Sequence, residues 1–210
     1  MKTILCYGDS NTWGYDPVTQ TRLPREARWT GVLQAELGAG YEVIEEGLCG
    51  RTTVWDDPIE QWKNGYKQLV PILLSHSPLD LLIIMLGTND LKSRFSVSAL
   101  EVAQGAGNLV RLARSCQTGY SGAAPEILLL CPPPFQPLAD TPFASIFAGA
   151  EEKSKQLATH FAAVAQEVGC QYMDTGGIVA ASALDGIHLE AQEHAKLGRA
   201  VAAQVRTILR

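Results

Sequence analysis

Two short segments at opposite ends of the chain carry the residue types of a proton relay. They are Gly8-Asp9-Ser10-Asn11 and Asp185-Gly186-Ile187-His188. A serine hydroxyl attacks a carbonyl only when a base takes its proton, and a neutral imidazole does so near pH 7. Ser10 is then the candidate nucleophile and His188 the candidate base. Asp185, three residues before His188, can reach the imidazole from one turn of helix-like backbone, hold its Nδ1–H tautomer and stabilise the imidazolium that forms. Two further segments, Gly47-Leu48-Cys49-Gly50 and Gly87-Thr88-Asn89-Asp90, punctuate apolar runs between these ends. Taken singly, each has an ordinary reading: a turn serine capping a helix, a strand-ending turn, a histidine satisfied in a loop. Their joint placement favours chemistry.

That placement depends on the elements that carry them. Short apolar or β-branched runs alternate with longer helix-patterned stretches, the signature of βαβ units building a parallel sheet covered on both faces. Strands are expected near Thr3–Tyr7, Glu42–Glu46, Leu81–Leu86, Glu126–Cys131 and Gln171–Asp174. Helices are expected near Trp29–Leu37, Tyr66–Ser75, Ser98–Arg114, Glu151–Val168 and Glu190–Leu209. Ser10, Gly50 and Asn89 each fall just past a strand's C-terminal end, where open α/β sheets bind ligands. The expected fold is a three-layer α/β/α sandwich around a flavodoxin-like five-stranded parallel sheet in order 2-1-3-4-5. In that order strands two and three flank strand one and bring all three residues together.

The four segments, in this order and with the last near the C-terminus, resemble the conserved blocks of the SGNH hydrolases, a branch of the GDSL esterase and lipase family. Arg28-Trp29-Thr30-Gly31-Val32-Leu33, Glu45-Glu46-Gly47-Leu48 and Ile83–Asp90 look more narrowly like the bacterial arylesterase and acyltransferase subgroup. The resemblance spans nearly the whole chain and implies one SGNH hydrolase domain over residues 1–210. It implies an oxyanion hole made by the backbone N–H groups of Ser10 and Gly50 and the side-chain amide of Asn89. It implies a serine esterase acting on small acyl esters, with acyl transfer to alcohols, and a homo-oligomer whose long loops narrow the site. A carbohydrate O-deacetylase on the same fold is the alternative within the family. A flavodoxin-like binding module without catalysis is the alternative outside it, although such a loss would be expected to erode Ser10, Asn89, Asp185 or His188, and all four are present.

Trp13, Phe135, Phe143, Phe147 and Ile187 are the candidate walls of an acyl pocket. Asp9, Thr88 and Asp90 are read as holding loops by local hydrogen bonds, Cys49 as structural, and His76, His160 and His194 as lying on solvated faces. Three long connections, Asp16–Arg28, Leu48–Lys63 and Pro132–Gly149, are expected to gather at one end of the sheet.

Composition narrows the partners. Seventeen Lys and Arg against 22 Asp and Glu give a net charge of −5, which disfavours a sequence-independent grip on nucleic acid. The first βα loop lacks G-x-G-x-x-G and the Walker pattern, so no nucleotide cofactor is expected. Five cysteines without a C-x-x-C pair suggest neither a disulfide framework nor a zinc site, and no metal is expected. Neither a signal-peptide pattern nor an apolar run long enough to span a bilayer is visible, which gives the expectation of a cytoplasmic protein without membrane attachment.

Overall fold

A computed structural model describes all 210 residues. Five parallel strands, β1 (Lys2–Gly8), β2 (Tyr41–Gly47), β3 (Leu81–Met85), β4 (Glu126–Cys131) and β5 (Gln171–Asp174), form one sheet in order β2-β1-β3-β4-β5. The expected strand order and three-layer architecture are both present. Period-2 alternation sends neighbouring residues of β1 to opposite faces. Ile4 and Cys6 join Ile83, Leu128 and Leu130 in one apolar core, while Leu5 and Tyr7 join Leu82, Ile84 and Leu129 in the other. Helices α2 (Trp29–Leu37) and α6 (Ala191–Ile208) cover the first face. Helices α3 (Gly65–His76), α4 (Ala99–Ser115) and α5 (Ala150–Val168) cover the second. A four-residue helix, α1 (Ser10–Trp13), follows β1 directly and was not expected from the pattern.

Local chemistry sets the helix ends. Ser98 caps α4, accepting from the Glu101 N–H while the Glu101 carboxylate accepts from the Ser98 N–H, a reciprocal capping box. Asn64 caps α3 by accepting from the Lys67 N–H, and α5 stops at Gly169 in the left-handed conformation. None of the helices is long and apolar enough to cross a membrane.

One histidine departs from expectation. His194 is completely buried between α6 and α2, where its Nδ1 accepts a hydrogen bond from the Trp29 N–H at 3.2 Å. The apolar stripe of α6 faces the sheet there, and an imidazole accepting from the start of α2 joins the two helices. Burial, with the nearby His188 adding to it, lowers the His194 pKa from 6.5 to about 4. A proton on Nδ1 would face the Trp29 N–H donor to donor. Because the folded pKa lies below the unfolded one, this stability is present above pH 6.5 and is lost as pH falls towards 4. The stability difference between the wild type and His194→Gln, measured by denaturant unfolding, should therefore shift by up to about 3 kcal/mol between pH 7 and pH 4. A pH-independent difference would show that the imidazole takes up its proton alike in the folded and the unfolded chain.

Candidate active site

The loops after β1, β2, β3 and β4 and the turn before α6 converge at the C-terminal edge of the sheet. Asp9 caps α1 by accepting from the Asn11 N–H at 3.0 Å, and α1 ends at Gly14 in the left-handed conformation. Ser10 is thereby held at the first position of that helix, 5% exposed. At the other end of the chain, Asp185 organises a turn. Its Oδ1 accepts from the N–H groups of Ile187 and His188, both at 2.9 Å, and its Oδ2 accepts from His188 Nδ1–H at 2.6 Å. Gly186, at φ +79°, makes this a turn rather than helical backbone. The opposite imidazole nitrogen, Nε2, lies 2.9 Å from Ser10 Oγ. With Nδ1 donating to the carboxylate, Nε2 is the acceptor for the serine proton.

Other side chains fix the imidazole further. Asn11 accepts from the Leu189 N–H at 3.0 Å and donates to the Ile187 carbonyl at 3.4 Å, so the residue after Ser10 grips the backbone on both sides of His188. The Tyr15 ring lies 4.3 Å from the imidazole, and Phe143 meets it edge-on at 5.7 Å. Burial raises the Asp185 carboxyl, but the hydrogen bond and charge of His188 and the two backbone donors outweigh it and hold the pKa below the ordinary value. The carboxylate is therefore charged at neutral pH.

Ser10 and His188 open into a cavity of about 250 Å³, which Gly50 and Asn89 also line. Gly50 sits at φ +82° and its backbone N–H donates to no group of the chain. The Asn89 Nδ2 is buried and likewise has no hydrogen-bond partner. These are two unspent donors beside a hydroxyl that can add to a carbonyl. The two loops that carry them are joined from below by Asp90, whose carboxylate accepts from the N–H and hydroxyl of Thr53. Arg51 crosses beneath them to donate to the Gly8 and Glu46 carbonyls. Burial raises Asp9 to about 6 and Asp90 to about 7, with hydrogen bonds opposing it in both.

Of the five expected pocket walls, Phe143, Phe147 and Ile187 line the cavity. The other two do not. Phe135 is buried in the core edge-on against Phe147, its ring 5.3 Å away, and Trp13 is half-buried beneath the Arg22 guanidinium, 4.9 Å from its ring. Proximity to Ser10 in sequence misplaced Trp13, because α1 turns its side chain away. Tyr15 and Ile146 line the cavity in their place, and Cys49 also faces it. Burial, then the charge of Asp9, pushes the Cys49 thiol up to about 11, so it is protonated at neutral pH and no competitor to the serine. Glu60, Lys63 and Lys92 form a charged wall that no motif announced. His76 is paired with Glu46 at 2.9 Å on a half-exposed face.

A parallel sheet of this order with helices on both sides is the SGNH hydrolase fold. The family model for GDSL-like lipases and acylhydrolases matches residues 6–196, and the chain belongs to that family. Among solved structures, a carbohydrate acetylesterase from Sinorhizobium meliloti is 43% identical, with a TM-score of 0.95 over 99% of this chain and 100% of its own. An aryl esterase from M. smegmatis is 42% identical, with a TM-score of 0.94 over the same shares. A putative arylesterase from Agrobacterium tumefaciens is also 42% identical, with a TM-score of 0.90 over 99% of this chain and 100% of its own. No curated protein sequence matched the chain.

Proposed function

We propose that this chain is a serine esterase of small acyl esters in which Ser10, His188 and Asp185 act as a unit. The observation that carries the reading is the unbroken hydrogen-bonded chain from Ser10 Oγ through the imidazole to the Asp185 carboxylate, opening onto two unpaired donors. Ser10 Oγ adds to the ester carbonyl as its proton passes to His188 Nε2, and the charge that develops on oxygen is met by the N–H groups of Ser10 and Gly50 and by Asn89 Nδ2. Collapse of the adduct returns the proton to the departing alcohol and leaves an acyl group on Ser10. Water, or a second alcohol, repeats the sequence in reverse and frees the serine.

The size of the cavity limits the substrate. At about 250 Å³ it falls below the usual range for drug-sized ligands, and Phe143, Phe147, Ile146 and Ile187 close its apolar side. An acetyl-type acyl group fits that space and a long acyl chain has no groove to follow. The same apolar enclosure favours an organic alcohol over bulk water as acceptor. Carbohydrate O-deacetylation is the second reading, favoured by the charged side chains of Glu60, Lys63 and Lys92 in the cavity lining.

A p-nitrophenyl ester series assayed with and without added alcohol tests this reading. Rates should fall from acetate to octanoate, gradually at about 1–3 kcal/mol per methylene and then abruptly at steric overlap. An alkyl ester should appear among the products when alcohol is present. Octanoate outrunning acetate would remove the small-acyl assignment, and hydrolysis alone at high alcohol concentration would remove acyl transfer.

A further inference from the structure

The cavity has two unlike walls. Tyr15, Phe143 and Ile187 surround the imidazole, whereas Glu60, Lys63 and Lys92 stand on the side of Gly50 and Asn89. Glu60 is held from behind. Its Oε1 accepts from Lys92 Nζ and from Arg94 Nη2, both at 2.6 Å. Arg94 Nη2 also donates at 2.7 Å to Asp57, whose Oδ1 accepts from the N–H groups of Ile59 and Glu60 themselves. The Lys92 side chain is only 5% exposed, so its buried ammonium anchors one oxygen of a carboxylate that itself stays partly open to solvent. Burial raises the Glu60 carboxyl, but Lys92 and Arg94 outweigh it and keep its pKa below the ordinary value.

The second oxygen of that carboxylate is free. Glu60 Oε2 makes no hydrogen bond within the chain and is turned towards Gly50, 2.7 Å from where a Cβ on that residue would stand. Beside it run the last methylenes of Lys63, whose ammonium has no carboxylate partner. A fixed acceptor and a free donor thus stand together at the cavity wall. Resting on the esterase reading above, we propose that Glu60 Oε2, with Lys63, is a subsite for a hydroxyl group on the alcohol part of the substrate, so that among acetyl esters those carrying such a hydroxyl are turned over faster.

The chemistry follows from what each group lacks. An alkyl or aryl ester that covers Glu60 Oε2 strips water from a charged acceptor and offers no donor in return. A polyol ester replaces that water with a hydroxyl, which donates to Oε2 and accepts from Lys63 through the same oxygen. Sites that hydrogen-bond a substrate hydroxyl discriminate against the analogue lacking it for this reason. Because the Glu60 side chain keeps 41% of its exposure, the discrimination here should be about ten- to a hundredfold rather than the larger ratios of sealed sites.

Matched pairs of acetyl esters test the subsite: glyceryl monoacetate against propyl acetate, and an acetylated methyl pyranoside against cyclohexyl acetate. In the wild type kcat/KM should favour the hydroxylated member of each pair by at least about tenfold. In Glu60→Gln the cations should keep the amide oxygen and turn its NH2 into the cavity. The charged acceptor is lost and the ratio should fall towards one. Lys63→Met, at a side chain with no ion pair to break, should also lower the ratio and serves if Glu60→Gln does not fold. A wild-type ratio near one, or a ratio that survives in both variants, overturns the subsite. Turnover that persists in Ser10→Ala would instead overturn the serine-esterase reading. Turnover that requires Ser10 but ignores the hydroxyls defeats only the inference made here.

Discussion

Ser10→Ala is expected to lower kcat on p-nitrophenyl acetate by about 10⁴ to 10⁶, His188→Ala by as much, and the double variant by no more than either alone. The reason is geometric. Ser10 Oγ has one basic neighbour, His188 Nε2 at 2.9 Å, and that nitrogen is basic only while Nδ1 donates its proton to Asp185 at 2.6 Å. Removing the hydroxyl leaves the imidazole with nothing to deprotonate, and removing the imidazole leaves a hydroxyl that is a poor nucleophile at neutral pH. Once one is gone the other has no function left to lose. Cys49 cannot substitute, since its thiol is protonated at neutral pH. Asp185→Asn should cost about 10³ to 10⁴, because the serine and base remain but the amide can donate to Nδ1 and reverse the tautomer. Its effect should be accompanied by lower stability, because Asp185 also accepts from two backbone N–H groups. Steady-state kinetics on material freed of host esterases, with melting temperatures alongside, reads all four variants. Additive losses for Ser10 and His188 would show that they do not work as one unit.

The parts of this site that could be read from sequence are those in which local rules and long-range placement agree. β1, β3 and β4 are apolar runs buried on both faces, and the residue after such a strand must lie at the ligand-binding edge whatever the loops do. Ser10 after β1 and Asn89 after β3 follow from that, while Gly50 takes the corresponding place after the half-buried edge strand β2. Asp185 and His188 are legible as a pair because they share one short turn, although the turn is built by the Asp185 carboxylate and Gly186 rather than by a helical repeat. Tyr15, Glu60 and Lys92 were missed for a common reason. Each acts from a loop whose path is set by distant partners: the imidazole for Tyr15, Arg94 and Asp57 for the Glu60–Lys92 pair. Phe135 and Phe147 show the same gap within one loop. Both are aromatic and buried, yet one packs into the core and the other faces the cavity, and no spacing rule separates them. His194 was misread because the α6 pattern shows that a position is near the apolar stripe, not that Trp29 will bring it a donor.

Asn89→Ala is expected to lower kcat by about 10² to 10³, equivalent to about 2.7–4 kcal/mol, with little change in KM. Its Nδ2 is buried at the cavity without a partner, and a buried donor left unpaired costs stability unless something is gained later. In the proposed mechanism the gain comes when a carbonyl oxygen becomes an oxyanion, so the interaction would belong to the transition state and ground-state binding should survive its loss. A purely structural asparagine would instead hold its turn by side-chain hydrogen bonds, yet the ties across this loop run through the Asp90 carboxylate to Thr53. Replacing Asn89 therefore removes no tie, and the melting temperature should stay near the wild-type value or rise. Ser10 and His188 are untouched in this variant. A reactive fluorophosphonate should still label Ser10, but more slowly, since its addition also develops charge on oxygen. Near-normal kcat in a stable variant would defeat the oxyanion assignment. A raised KM with a lowered melting temperature would assign Asn89 to the loop instead. The contrast with Ser10→Ala makes the pair informative: one variant should abolish labelling altogether, while the other should slow labelling and turnover together.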